Sequence, residues 1–384
     1  MRKILLILVA LPVLAGLGWW YFHLRQIPSF DPAYHEYAYV TNGKSNTVSV
    51  IDLRSFRLAR TLRVGSMPTG IAINPKKNEV YVANTGSANV SVVDAERNEV
   101  VATIGVHGAP YFIDISSDGT RAYVANSASA NVSVIDLDKR AVIATVRVGN
   151  SPGLARVSPD GRTVVVSNRG SDSVSILDAK ALSVRSTIPL CHEPTDVAIL
   201  PDSSKAFLAC SGSAQVASID LRNDKLLTLL DVGKTPVALA LKPDGGELIV
   251  CNFDSDNVSI IETSTDEVSG SYLVGTRPTR GLVSSDNSRL YVSNFGSNSV
   301  AVYDIDMGKV VATLPVGSQP DGLALSQSQQ FLLVLDSQSG DVTVIQKRKP
   351  RKLEPGEYGL LTMVPAGVQP NNVVVKSFML PAPK

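Results

Sequence analysis

The four residues Tyr39-Val-Thr-Asn42 return along the chain at an unbroken step of 42 residues. The copies are Tyr81-Val-Ala-Asn84, Tyr123-Val-Ala-Asn126, Val165-Val-Ser-Asn168, Phe207-Leu-Ala-Cys210, Ile249-Val-Cys-Asn252, Tyr291-Val-Ser-Asn294 and Leu333-Val-Leu-Asp336. A period of roughly 20–50 residues means that one small unit stacks on copies of itself, because none can bury its apolar face alone. Whatever this chain folds into must set such units side by side.

Each period holds four short apolar runs separated by turn residues. Strand a follows a proline, as in Pro68-Thr-Gly-Ile-Ala-Ile73, and strand b is the Tyr-Val-Ala-Asn segment. Strand c, Asn89-Val-Ser-Val-Val-Asp94, alternates with a period of two, and strand d is Val100-Val-Ala-Thr-Ile104. Helical periodicity is absent, which excludes a helical solenoid. Four strands in roughly 40 residues predict the blade of an all-β propeller. The composition, with 44% hydrophobic and 18% charged residues, 28 Gly and 22 Pro, suits many short strands joined by turns.

The chain ends fix the number of blades. The first copy starts at strand b, near Tyr37, and lacks strand a. The eighth supplies a (Asp321–Ser326), b (Phe331–Leu335) and c (Asp341–Ile345), and an insertion precedes its strand d, Leu361-Thr-Met-Val-Pro365. A lone strand a follows, Gln369-Pro-Asn-Asn-Val-Val-Val375, and it would complete the first blade. Eight blades of four strands result, closed by the C-terminal strand so that no strand edge is left open. A seven-bladed ring with a loose end is the alternative. The resulting plan is a leader at 1–24, a tether at 25–36, the propeller at 37–378 and a tail at 379–384.

The repeated motif resembles the Tyr-Val-Thr-Asn (YVTN) β-propeller repeat family over about residues 37–376. Similar repeats occur in archaeal surface-layer proteins and exported bacterial proteins; lactonase-type propellers and dehydrogenase propeller subunits are more distant. The resemblance implies seven blades as the common number, from which a count of eight departs. It implies little about activity, since one fold hosts many functions.

At the N-terminus, Arg2 and Lys3 precede an uncharged apolar run from Ile4 to Phe22, and Trp19, Trp20, Tyr21 and Phe22 sit where an interfacial aromatic belt would lie. The expectation is an uncleaved signal anchor with its N-terminus in the cytoplasm and the propeller outside it, in the periplasm or at the cell surface. A cleaved signal peptide, with Val13 and Ala15 at the cleavage site, is the rival. The formal net charge of +1 and the lack of a basic stripe argue against a nucleic-acid partner. Cys191, Cys210 and Cys251 form neither a metal spacing nor a paired framework, so no disulfide is expected.

Strand direction alternates, so the d–a and b–c loops share one face, here the top. The anchor and the insertion of the eighth blade belong to the bottom. That insertion carries Lys347, Arg348, Lys349, Arg351 and Lys352, and contact with anionic lipid head groups is the expectation; a solvated charged hairpin is the alternative. On the top, the two residues after each repeat proline vary from blade to blade. Candidate ligand contacts there are Tyr111, Phe112, His192, Glu193, Asp196, Arg277, Arg280, Asp321 and Asn371, with His107 nearby. Ordinary loop variation is the competing explanation.

Asp114 and Arg156 hold the same phase in consecutive blades and are expected to form a local ion pair. The asparagines ending strand b and the aspartates ending strand c (Asp52, Asp94, Asp136, Asp178, Asp220 and Asp304) are expected to bond turn backbone. Asn-Val-Ser at Asn89, Asn131 and Asn257 follows from the repeat as well as from a glycosylation sequon.

Catalytic signatures are missing from the sequence: no phosphate loop, no Gly-x-Ser-x-Gly elbow and no Cys-x-x-Cys-His. Cys191-His192 is a poor dyad, because neighbours on an extended chain point apart. A metal site would have to draw on Glu193, Asp196, Asp321 and Asn371. No catalytic residue, metal or cofactor is assigned. The expectation is a ligand- or protein-binding module working through its top face; a lactonase-like hydrolase or dehydrogenase-associated propeller is the alternative.

Overall fold

The computed structural model describes residues 31–348 and 356–380. By contacts the chain separates into a small unit drawn from its two ends, Met1–His35 with Met379–Lys384, and a large one, Glu36–Phe378. In the small unit the described residues make a few local bonds, among them Tyr34 N–H to Asp31 O at 2.9 Å and Leu380 N–H to Ala33 O at 2.9 Å. The large unit is the propeller.

It is all-β: eight four-stranded antiparallel blades in a ring, each ordered a-b-c-d. In blade 2 these are Pro68–Ile73, Glu79–Asn84, Asn89–Asp94 and Glu99–Gly105. Blade 1 takes strands b, c and d from the N-terminal end and strand a, Pro370–Met379, from the C-terminal end, as the repeat arithmetic requires. The closing strand runs several residues beyond the expected Val375.

Burial explains the repeat pattern. Strand b lies between neighbouring blades with both faces covered, so Tyr123, Val124 and Ala125 are all buried, and the run reads as continuously apolar. Strand d is outermost, and Glu99–Gly105 alternates exposed with covered residues until Ile104. The core is therefore a circle of inter-blade clusters rather than one central mass. Eight clusters are present, one for each blade interface. The cluster at the seam joins Phe331, Leu333 and Val344 of blade 8 to Ala38, Val40, Ile51 and Val373 of blade 1. The ring is thus closed by the same apolar packing that holds every other pair.

The top loops pair as expected: Thr85 N–H bonds Met67 O at 3.0 Å, and Gly86 N–H bonds Ser66 O at 2.9 Å. The strand-c aspartates also behave as expected, Asp94 Oδ1 accepting the N–H groups of Glu96 at 2.9 Å and Arg97 at 3.1 Å. Of the strand-b asparagines, Asn42 accepts Gly367 N–H at 3.0 Å and Asn294 donates to Val274 O at 3.0 Å, both loop backbone, but the others differ. Asn84 Nδ2 donates to Asn89 Oδ1 at 2.8 Å and Ser91 Oγ at 2.9 Å, which are side chains of strand c rather than turn backbone. These buried contacts tie b to c in a place where water cannot compete.

A second correction concerns the cysteines. Cys191 and Cys210 are joined as a disulfide, Cα to Cα 5.8 Å. Linear spacing did not reveal it, because the two sites meet only when the d–a loop folds over the end of strand b. Cys251 is buried and free, and burial pushes its thiol up to about 12, which keeps it protonated and unreactive.

Among the described residues no helix is long and apolar enough to cross a membrane, and the expected anchor at residues 4–22 lies outside them. Of the basic insertion, Lys347 faces Glu357 with Nζ 3.7 Å from Oε1, and Arg348 N–H bonds Glu357 O at 2.6 Å. Lys349, Arg351 and Lys352 lie outside the described residues.

Candidate functional site

Strand a of every blade lines the ring axis, and its first residues come from the variable positions after the repeat proline. Where these carry small side chains, neighbouring blades approach closely. A Cβ at Gly70 would lie 2.9 Å from Tyr111 O and 3.0 Å from Phe112 Cα, so that glycine lets blades 2 and 3 meet. The result is an axial cavity of about 640 Å³, within the range of roughly 300–1,000 Å³ seen for small-molecule sites.

Of the candidates, Tyr111, Phe112, Asp196, Arg280, Asp321 and Asn371 line this cavity. His192, Glu193 and Arg277 do not; they belong to the surrounding top loops. His192 Nδ1 lies 2.7 Å from Asp172 Oδ2, and Glu193 N–H bonds Asp172 Oδ1 at 2.9 Å. Arg277 N–H bonds Asp256 Oδ1 at 2.8 Å while its guanidinium sits 5.4 Å from the centre of the Phe253 ring. His107 Nε2 lies 3.0 Å from Thr145 Oγ1. Asp172 and Asp256 occupy the same place in their b–c turns, where Asn46 holds Met67 N–H at 2.9 Å in the same way. These loop contacts are part of the scaffold.

Several axial polar groups are also structural. Asp196 Oδ2 accepts Leu239 N–H of the next blade at 2.9 Å, and Oδ1 accepts its own neighbour's N–H, Val197, at 2.8 Å. Asp114 repeats the arrangement with Val157 N–H at 3.0 Å and Ile115 N–H at 3.1 Å. Asn371 Nδ2 donates to Pro68 O at 3.0 Å, bridging blades 1 and 2. Each is a side chain stapling two inner strands that have no ladder between them.

Arg156 departs from the expected pairing. Its Nη2 is 3.9 Å from Asp196 Oδ1 and its guanidinium is 4.8 Å from the centre of the Phe112 ring. Asp114 feels its charge only as a lowering influence; burial dominates and holds the Asp114 carboxyl above its usual range. Asp321 is raised for the same reason, with Arg280 opposing.

Arg169, in the b–c loop of blade 4, was overlooked in the sequence and also lines the cavity. Gly153 makes this possible: a Cβ there would lie 3.1 Å from Arg169 Cδ, so the aliphatic stem rests where a side chain would otherwise stand. The signal was available, since this loop position holds Gly43, Thr85, Ser127, Ser211, Phe253, Phe295 and Ser337 in the other copies.

The lining therefore sets cationic and aromatic groups beside two carboxylates committed to backbone N–H groups, Asp114 and Asp196, and a third, Asp321, that burial holds above its usual range. Among the described residues no three or more His, Cys, Asp or Glu come together to hold a metal ion.

Two family models match parts of the sequence: the cytochrome D1 heme domain over residues 76–198, and "Lactonase, 7-bladed beta-propeller" over residues 279–369. No curated protein matches significantly. Among solved structures, the dihydro-heme d1 dehydrogenase NirN in complex with DHE superposes with a TM-score of 0.74 at 13% identity, covering 90% of this chain and 76% of that one. Hydrazine synthase of Kuenenia stuttgartiensis gives 0.58 at 24% identity, covering 69% and 91%. A functionally unknown protein from Desulfotomaculum acetoxidans DSM 771 gives 0.62 at 16%, covering 78% and 99%. The chain is a β-propeller. At these identities the likeness is one of fold, and the YVTN resemblance rests on the repeat motif alone.

Among the described residues no His, Met or Cys lines the cavity, and Tyr111 is the one side chain there of a type that ligates haem iron.

Proposed function

We propose that this protein is an exported, membrane-tethered binding module that takes a small molecule into its axial cavity. The observation that carries the reading is the contrast between a regular ring and an irregular axis. Strands b and c keep their pattern in every blade, while the cavity lining gathers the departures Tyr111, Phe112, Arg169, Arg280 and Asp321. Export is supported by the apolar run from Ile4 to Phe22 and by the Cys191–Cys210 bond, since disulfides persist in oxidising compartments.

A thermal-shift screen of the full-length protein against a small-metabolite library tests the reading. Stabilisation by at least one compound, lost when Tyr111 and Arg169 are replaced, is expected. No stabilising compound across the library would overturn it.

The match of residues 279–369 to the lactonase model favours a second reading, a hydrolase whose site includes Arg280 and Asp321. Turnover of a lactone panel by the protein, abolished by Asp321→Asn, would replace binding with catalysis.

A further inference from the structure

The charged groups of the cavity are unequal in how far the fold has already used them. Asp114 and Asp196 each give both carboxylate oxygens to backbone N–H groups, and Arg156 is engaged with Asp196 and the Phe112 ring. Arg169 and Arg280 differ. Both are exposed at the cavity, and their guanidinium groups make no hydrogen bond or ion pair among the described residues. Arg280 makes no ion pair with Asp321 among the described residues, and its charge only opposes the effect of burial on that carboxyl.

An arginine fork is built for planar anions such as a carboxylate or phosphate, which it can bind through two parallel N–H bonds. Two such forks open into one cavity, Arg169 over Gly153 in blade 4 and Arg280 on strand a of blade 7. The same opening carries Tyr111, 45% exposed although it is aromatic and has apolar neighbours in Phe112 and Ile113. Its ring face is free to stack on a flat ligand, and Thr69 Oγ1 fixes the strand by bonding Tyr111 O at 3.0 Å.

We infer that the cavity binds a ring-bearing small carboxylate, its anionic group held by Arg169 and Arg280 and its ring laid against Tyr111. This rests on the binding-module reading and narrows it to one chemical class. A cationic ligand is disfavoured by the two arginines, since Asp114 and Asp196 already accept backbone N–H groups and burial holds the Asp321 carboxyl above its usual range.

Isothermal titration of the full-length protein with naphthoate, its uncharged amide naphthamide, acetate and inorganic phosphate tests the inference. Naphthoate is expected to bind at least tenfold more tightly than the other three. Arg169→Gln and Arg280→Gln should each weaken it about tenfold, as should Tyr111→Ser, with Arg63→Gln on an outer strand as the unaffected control. Arg169→Lys, which keeps the charge but not the fork, should fall between wild type and Arg169→Gln. Equal binding of naphthoate and naphthamide would overturn the anionic inference while leaving a binding cavity in place. Equal binding of acetate or phosphate would overturn the part played by the ring. Absence of naphthoate binding would overturn the whole inference, and the metabolite screen then decides separately whether the cavity binds anything else.

Discussion

Cys191 and Cys210 are bonded across the top of blade 5 at the positions where six other blades set a glycine against an Asn or Asp. A Cβ at Gly65 would lie 2.7 Å from Asn84 Cβ, and the same distance separates the pairs Gly149 and Asn168, and Gly233 and Asn252. In those blades the loop is pressed so closely on the strand end that a Cβ would collide with it. Blade 3 sets His107 there, and blade 5 makes the contact covalent.

Replacing both cysteines with alanine should therefore destabilise the protein by about 3 kcal/mol, the value for a loop of this order of length. The double change Cys191→Gly with Cys210→Asn restores the contact of the other blades and should recover part of that loss. Urea unfolding midpoints with and without reductant provide the measure. An alanine pair as stable as the oxidised wild type would refute the role.

Removing residues 370–384 deletes strand a of blade 1. Thr41 Oγ1 then loses Asn371 Oδ1, 2.5 Å away, and Gly43 N–H loses Gln369 O as the chain end frays. The edge of strand b and the seam cluster are uncovered together. The truncated protein is expected to aggregate or form oligomers on size exclusion, and a peptide of residues 370–380 added during refolding should restore the monomer. A soluble, cooperatively folded truncation would show that the ring does not need this strand.

Asp336 occupies the strand-b asparagine position of blade 8. It is fully buried, Thr343 Oγ1 donates to its Oδ2 at 2.6 Å, and Asp341 stands where other blades offer a neutral partner to an amide. Burial, reinforced by Asp341, raises its carboxyl to about 8. The folded protein thus keeps a proton that the unfolded chain has released above about pH 4, so stability falls as pH rises from about 4 to about 8 and levels beyond. Asp336→Asn should remove that decline, and its gain in Tm over wild type should widen between pH 5 and 9. A constant gain across that range would exclude the titration.

The staple at Asp196 predicts a different pattern. Asp196→Ala leaves the N–H groups of Val197 and Leu239 without their acceptor beside the axis and should cost about 1–3 kcal/mol. Asp196→Asn keeps one acceptor and should cost less, while both variants free Arg156. Equal stability of Asp196→Ala and wild type would show that water replaces the carboxylate without loss.

Much of the fold was legible because a propeller writes its geometry into one dimension. The Tyr-Val-Thr-Asn step fixed the blade, and the displaced Gln369–Val375 segment disclosed how blade 1 is completed. The candidate site was legible only in part. Tyr111, Phe112 and Arg280 were found from their variable column, but His192, Glu193 and Arg277, close to that column, turn out to belong to the loops. Arg169 was missed because it stands in a different column, and it reaches the axis only over the gap left by Gly153.

Periodicity by itself determined the fold class, the eight blades and the closure, because each strand contacts neighbours at a constant offset along the chain. Tertiary structure alone decided which side chains meet across those offsets. Arg156 lies 3.9 Å from Asp196 and makes no ion pair with Asp114 among the described residues, although both carboxylates accept the same kinds of backbone N–H bond. Cys191 finds Cys210 because a loop folds down onto a strand end. Both outcomes depend on where the blades and loops carry side chains that are not a constant offset apart, and that is settled in space rather than in sequence.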